Sequence, residues 1–194
     1  MTSGASGARG ERAGGAAPSH NEASVFGRGA PPGDWPEGRP PRLTLDTSAL
    51  NARGSIPAMN RVERWAEEGK VVLYVPPEVT AEAEAHLGGK GRAMYAGKAR
   101  SLHGGGEAAG APAGLEEEMA AVLFPHTRPG ELTPGQRRDA RILALHRSLG
   151  NDVFLTLDTR HFIQKGRRER LAARGVRAMT PAEFAAWAGE RLEG

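Results

Sequence analysis

Short apolar runs alternate with amphipathic stretches along most of the chain. Arg42-Leu43-Thr44-Leu45-Asp46 is a brief strand-like run that ends in a carboxylate. Around Ala58–Glu68, Met59, Val62, Trp65 and Ala66 recur at helical spacing, and Gly69 suits the helix end. Val71–Val75 reads as a buried strand stopped by Pro76-Pro77, and a helix is expected over Glu78–Leu87. Gly88–Arg128 is ambiguous, broken by glycine clusters, with Glu116–Phe124 as a candidate helix. Thr133-Pro134-Gly135-Gln136 has the form of a capping box and opens a helix to about Leu149. Val153–Leu157 is another apolar strand, ending at Asp158, and Gly175–Met179 is the last. Thr180-Pro181-Ala182-Glu183 repeats the capping-box pattern before a helix whose apolar face is Phe184, Trp187 and Ala188.

Strands alternating with helices imply an α/β domain. The expected architecture is a three-layer α/β/α sandwich around a mostly parallel central sheet of about four to five strands. It occupies residues 41–194. Residues 1–40 are rich in Gly, Ala, Ser, Pro and Arg, and carry Val25, Phe26 and Trp35 as their large apolar residues. That composition buries too little surface to offset chain entropy, so a disordered tail is expected there.

Composition narrows the chemistry. Cysteine is absent from the 194 residues, which excludes disulfides, thiolate nucleophiles and thiolate-ligated zinc. The longest apolar run falls far short of the roughly 18–20 residues of a membrane span, and the N-terminus lacks a signal-like apolar core. A cytoplasmic protein without membrane contact is expected. The net charge of +3 is weak evidence for an acidic partner.

The acids carry more information. Asp46 and Asp158 each follow an apolar strand, and ligands of parallel sheets gather at the carboxyl ends of strands. Glu82 falls on the inward stripe Val79, Glu82, Ala83, His86, with Glu78 one turn earlier as a substitute. Asp139 aligns with Ile142, Leu143, His146 and Leu149, although a carboxylate near a helix N-terminus also has the simpler explanation of dipole compensation. Carboxylates brought together repel unless a cation neutralises them, and an oxygen-only donor set favours Mg²⁺ or Mn²⁺. Thr47, Ser48, Asn51 and Thr156 are candidates for holding those carboxylates in place. Arg160, Lys165, Arg167 and Arg168 concentrate positive charge just after Asp158, where a nucleic-acid backbone would suit them as well as solvent does.

Taken in order, these segments resemble the motifs of PIN-domain ribonucleases. Leu45-Asp46-Thr47-Ser48-Ala49-Leu50 is similar to the opening motif, and Val75 through Glu82 to the second. Asp139-Ala140-Arg141-Ile142-Leu143-Ala144 is similar to the third, Phe154 through Phe162 to the fourth, and Gly175 through Phe184 to the closing strand and helix. The resemblance spans residues 42–192, without the stretch between Gly88 and Pro129. It implies divalent-metal-dependent cleavage of RNA by Asp46, Glu82, Asp139 and Asp158, often a homodimer, and in many bacterial members a toxin held by an antitoxin. The glycine-rich middle and the long tail depart from the compact toxin pattern. Two other classes compete. One is a non-catalytic PIN-like module that binds RNA or protein. The other is a phosphoryl-transfer enzyme with Asp46 as nucleophile, disfavoured because Ser48 stands where a second acid is wanted.

Overall fold

The computed structural model describes residues 34–52, 54–81 and 110–194. Four parallel strands form one sheet in the order β2-β1-β3-β4: β1 Arg42–Leu45, β2 Val72–Tyr74, β3 Val153–Leu155 and β4 Ala178–Met179. β3 is buried throughout and β1 nearly so, as expected for central strands covered on both faces. The α/β architecture anticipated from the alternation is present.

Chain direction assigns the helices to faces. The chain steps from β1 to β2 on one side, then crosses back over β1 to β3 and on to β4. Right-handed crossovers therefore place α2 (Pro57–Glu67) on one face. They place α5 (Pro134–Ser148) on the other. Residues 77–81 open α3, and α4 (Ala113–Leu123) precedes α5. The short helices α6 (Thr159–Phe162) and α7 (Arg167–Ala172) make the last crossover, and α8 (Pro181–Glu193) returns to pack on α2 through Phe184 and Trp65, ring centroids 6.2 Å apart.

Local chemistry sets the helix starts. Thr133 Oγ1 accepts the Gln136 amide while the Gln136 side chain accepts the Thr133 amide, and Thr180 and Glu183 repeat the exchange at α8. Each box satisfies amides that a helix N-terminus leaves orphaned.

Asp34 to Pro41 packs on the domain, although composition alone assigns all but its last residue to the tail. Trp35 lies 4.9 Å from Trp187, ring to ring, with the Arg191 guanidinium 5.6 Å from its ring centre. Arg39 forms a two-pronged pair with Asp152 at 2.7 Å, and the Arg42 amide donates to the same carboxylate. Burial opposes the Asp152 charge, but these donors outweigh it and hold the carboxyl below the usual range. Asp152 is thus a tie between the entering chain and the lower end of β3.

Under the sheet, Thr44 Oγ1 bonds to His146 Nδ1 at 2.9 Å and accepts from Asn151 Nδ2 at 2.8 Å. His146 is wholly buried and its burial lowers its pKa to about 4. Because the folded value lies below the unfolded one of about 6.5, stability from this group is complete above pH 6.5 and drains away as pH falls toward 4. The loss is expected to approach 3 kcal/mol, on the order of 1.4 per pKa unit. Urea midpoints measured at pH 7 and pH 4 should show it, and His146→Gln should flatten that part of the profile.

Candidate active site

The strand order reverses between β1 and β3, so the crevice at their carboxyl ends is the topological switch point of the sheet. Asp46 leaves β1 there, its amide bonded to the Leu155 carbonyl at 2.9 Å, and Asp158 follows β3 by three residues. The two strands are hydrogen-bonded neighbours, so the two carboxylates share one edge. They are close enough for the charge of Asp158 to act on Asp46.

Asp46 is 6% exposed. It caps α1 (Thr47–Asn51), with Oδ1 accepting the Thr47 amide at 2.7 Å. Its Oδ2 accepts two hydroxyls, Ser48 Oγ at 2.6 Å and Thr156 Oγ1 at 2.8 Å. Each hydroxyl also accepts a backbone amide from the loop that carries Asp158. Leu157 N donates to Ser48 at 2.8 Å, and Asp158 N to Thr156 at 2.9 Å. Two hydroxyls therefore clamp the Asp158 loop to the Asp46 carboxylate, and each has its donor and one lone pair committed. Ser48→Ala removes a hydrogen bond to a charged group and strands the Leu157 amide. It is expected to cost about 2 kcal/mol, readable as a shift in the urea midpoint.

Among the described residues the hydrogen-bond partners of Asp46 are all neutral. Burial pushes its carboxyl up, the bonds from Ser48, Thr156 and Thr47 oppose that, and the negative charge of Asp158 adds to the rise. A buried carboxylate near a second one, without a cationic side chain bonded to it among the described residues, is a charge arrangement that a bound cation would relieve.

Asp158 caps α6, its Oδ1 accepting the His161 amide at 3.0 Å and its Oδ2 bonded to His161 Nδ1 at 2.7 Å. An ionised carboxylate offers about four lone pairs. Among the described residues, Asp46 has three engaged and Asp158 two. What they leave free suits a hard cation that takes few protein ligands and keeps several waters, as Mg²⁺ does.

Asp139 lies on the face of α5 that also carries His146, seven residues on. His146 sits under Thr44, two residues before Asp46. As a crossover helix α5 runs opposite to the strands, so Asp139 lies on the side of His146 that is toward their carboxyl ends, the end that carries Asp46. Asp139 is half-buried and has an interaction of its own. Among the described residues no three Asp, Glu or His side chains gather closely enough to hold a metal ion. Glu82, the acid that would complete the set, lies outside the described residues.

Glu78 stands in the first turn of α3, at the same edge beyond β2. Its Oε2 and the Tyr74 hydroxyl are buried without hydrogen-bond partners among the described residues. Burial and the nearby Glu78 charge push the Tyr74 hydroxyl up. Strand alternation carries the signal for Tyr74, which is in register with Thr44 and so faces the same side of the sheet. Sequence gave no comparable sign of the His161–Asp158 pair, because helix α6 is too short to produce a periodic pattern.

The remaining candidates separate by environment. Thr47 contributes its amide to Asp46, and Asn51 is exposed at the end of α1. Arg160 and Lys165 are exposed beside the site. Arg167 is half-buried, donating to the carbonyls of Leu123 and Arg160. Arg168 is turned inward and committed to Glu183, donating to both carboxylate oxygens at 2.7 and 2.8 Å. On α4, Glu116 and Glu118 pair with Arg141, Arg147 and Arg174, which neutralises much of the basic surface beyond α7.

No helix among the described residues is long and apolar enough to cross a membrane. No family model matches this sequence, and no curated protein or solved structure is significantly similar to it.

Proposed function

We propose that the chain is a divalent-metal-dependent endoribonuclease of the PIN type, acting through Asp46, Glu82, Asp139 and Asp158. The observation that carries this reading is Asp46: a buried carboxylate at the switch point, held by neutral donors and facing Asp158. Asp46 and Asp158 would hold the cation, with Glu82 and Asp139 as the acids the second and third motifs add. A Mg²⁺ or Mn²⁺ ion at that edge supplies charge neutralisation and activation of the attacking water. Ser48 and Thr156 orient the Asp46 carboxylate and hold the loop that carries Asp158, and His161 fixes the Asp158 carboxylate. Arg160 and Lys165 offer positive charge to the RNA backbone.

Cleavage of structured and unstructured RNAs, with Mn²⁺ and with chelator, tests the proposal. Wild type should cut in Mn²⁺ alone and Asp158→Asn should not. Cutting that survives the chelator, or equal cutting by the variant, overturns it. The second reading, a PIN-like module that binds RNA or a protein without cleaving it, draws support from the absence of a three-acid group among the described residues. Binding of RNA without cleavage under any divalent ion would decide for it.

A further inference from the structure

Beside the carboxylate edge, a cavity of about 450 Å³ opens between the end of α4, the turn that follows it and the start of α5. Ala120, Phe124, Leu132 and Ala140 form an apolar floor, each less than 9% exposed. Three ionic side chains line it, Glu116, Glu117 and Arg137. Glu116 is paired with Arg141, whereas Glu117 and Arg137 have no hydrogen-bond or ion-pair partner among the described residues. The cavity also adjoins the candidate site. The Phe124 ring meets the His161 ring edge-on at 6.5 Å, and His161 is bonded to Asp158.

From this arrangement we propose that the cavity is a nucleotide subsite, taking a nucleobase on its apolar floor with the attached phosphate directed to Arg137. The volume lies in the range of small-ligand sites, and an apolar floor with a few polar groups at its edge is their usual character. A base presents a flat apolar face for Phe124 and the alanines. Its amino edge can donate to the free Glu117 carboxylate, as cytosine and other amino-bearing bases do to acidic side chains. Arg137 sits in the first turns of α5, where the helix dipole adds to its attraction for a phosphate. One unpaired acceptor and one unpaired cation on opposite chemical duties match a nucleotide better than they match a purely apolar guest. The subsite extends the ribonuclease reading and rests on it for its biological use. It would favour RNA with an amino-bearing base next to the scissile phosphate.

The test is calorimetric titration of the full chain with 5′-AMP, 5′-CMP, 5′-GMP and 5′-UMP in chelator, with inorganic phosphate as control. Nucleotides with amino-bearing bases should bind more tightly than UMP and phosphate. Ala121→Trp, which projects an indole into the cavity from an exposed lining position, should weaken binding at least about tenfold without lowering thermal stability. Arg137→Ala should weaken it less. Failure of every nucleotide to bind, binding no better than phosphate, or indifference to Ala121→Trp overturns the subsite. Because chelator is present, nucleotide binding in a chain that cuts no RNA would sink the nuclease reading alone. RNA cleavage without nucleotide binding would sink the subsite alone.

Discussion

Asp46→Asn is expected to lower Mn²⁺-dependent RNA cleavage by at least about a hundredfold and to remove the thermal stabilisation that the metal gives. The reasoning starts from charge. Asp46 is almost wholly buried, accepts three hydrogen bonds from neutral donors and faces Asp158. Its carboxyl is raised, so the metal-free fold binds a proton more readily than the unfolded chain does. Stability from this group is therefore present at low pH and is lost as pH climbs from the unfolded value through the folded one. A divalent ion bound there as proposed would reverse that penalty at neutral pH. At a hundredfold over its dissociation constant it contributes about 2.7 kcal/mol, which in a domain of this size is a rise in Tm of about 5–10 °C. Asn keeps the shape of the side chain and removes the charge that the ion needs. Scanning calorimetry with and without Mn²⁺, beside the cleavage assay, separates the outcomes. An equal metal-induced rise in both proteins would show that the ion binds elsewhere. Loss of the rise with cleavage intact would detach the cation from the chemistry.

Arg168→Ala should be the most destabilising of the surface-charge substitutions, at about 3 kcal/mol or more. Arg168 and Glu183 are 17% and 10% exposed, and Arg168 donates to both oxygens of the glutamate. Glu183 is also half of the α8 capping box, accepting the Thr180 amide at 2.8 Å. Removing the guanidinium leaves that carboxylate buried with its charge uncompensated, which is the costly way to break a buried pair. Urea unfolding gives the stability change directly. The same variant distinguishes two roles for the residue. A phosphate-contacting arginine, when lost, reduces the salt dependence of RNA binding by about one unit of slope. Arg168, spent on Glu183, should leave that slope unchanged, whereas Arg160→Ala should reduce it. A stable Arg168→Ala protein with a shallower slope would reverse this assignment.

Much of the framework was legible along the chain. The two capping boxes marked the starts of α5 and α8 because they are local chemistry, complete within four residues. β3 showed as a continuous apolar run, and β1 as a short one broken by Thr44, because central parallel strands are buried on both faces. The hydrophobic stripe of α2 showed through Met59, Val62 and Trp65, which are buried. Asp46 and Asp158 stood out because a carboxylate directly after such a strand is placed at a sheet edge by the strand itself.

Other features depend on partners far apart in sequence. α1 has no mark in the sequence because five residues carry no helical period, and it exists because Asp46 caps it at the switch point. Trp35 and Arg39 look like tail residues until Trp187 and Asp152 are brought to them. The basic run after Asp158 looked uniform, and pairing with Glu183 removes Arg168 from it. By itself, then, the sequence determined the order of the elements, the parallel sheet and the placing of two acids at strand ends, all of which follow from local burial and capping. Tertiary structure alone decided that those strands are neighbours, that two hydroxyls tie one acid's loop to the other, and which charges are spent inside the fold. Strand order and ion pairing are set by contacts between distant segments, and periodicity carries no record of them.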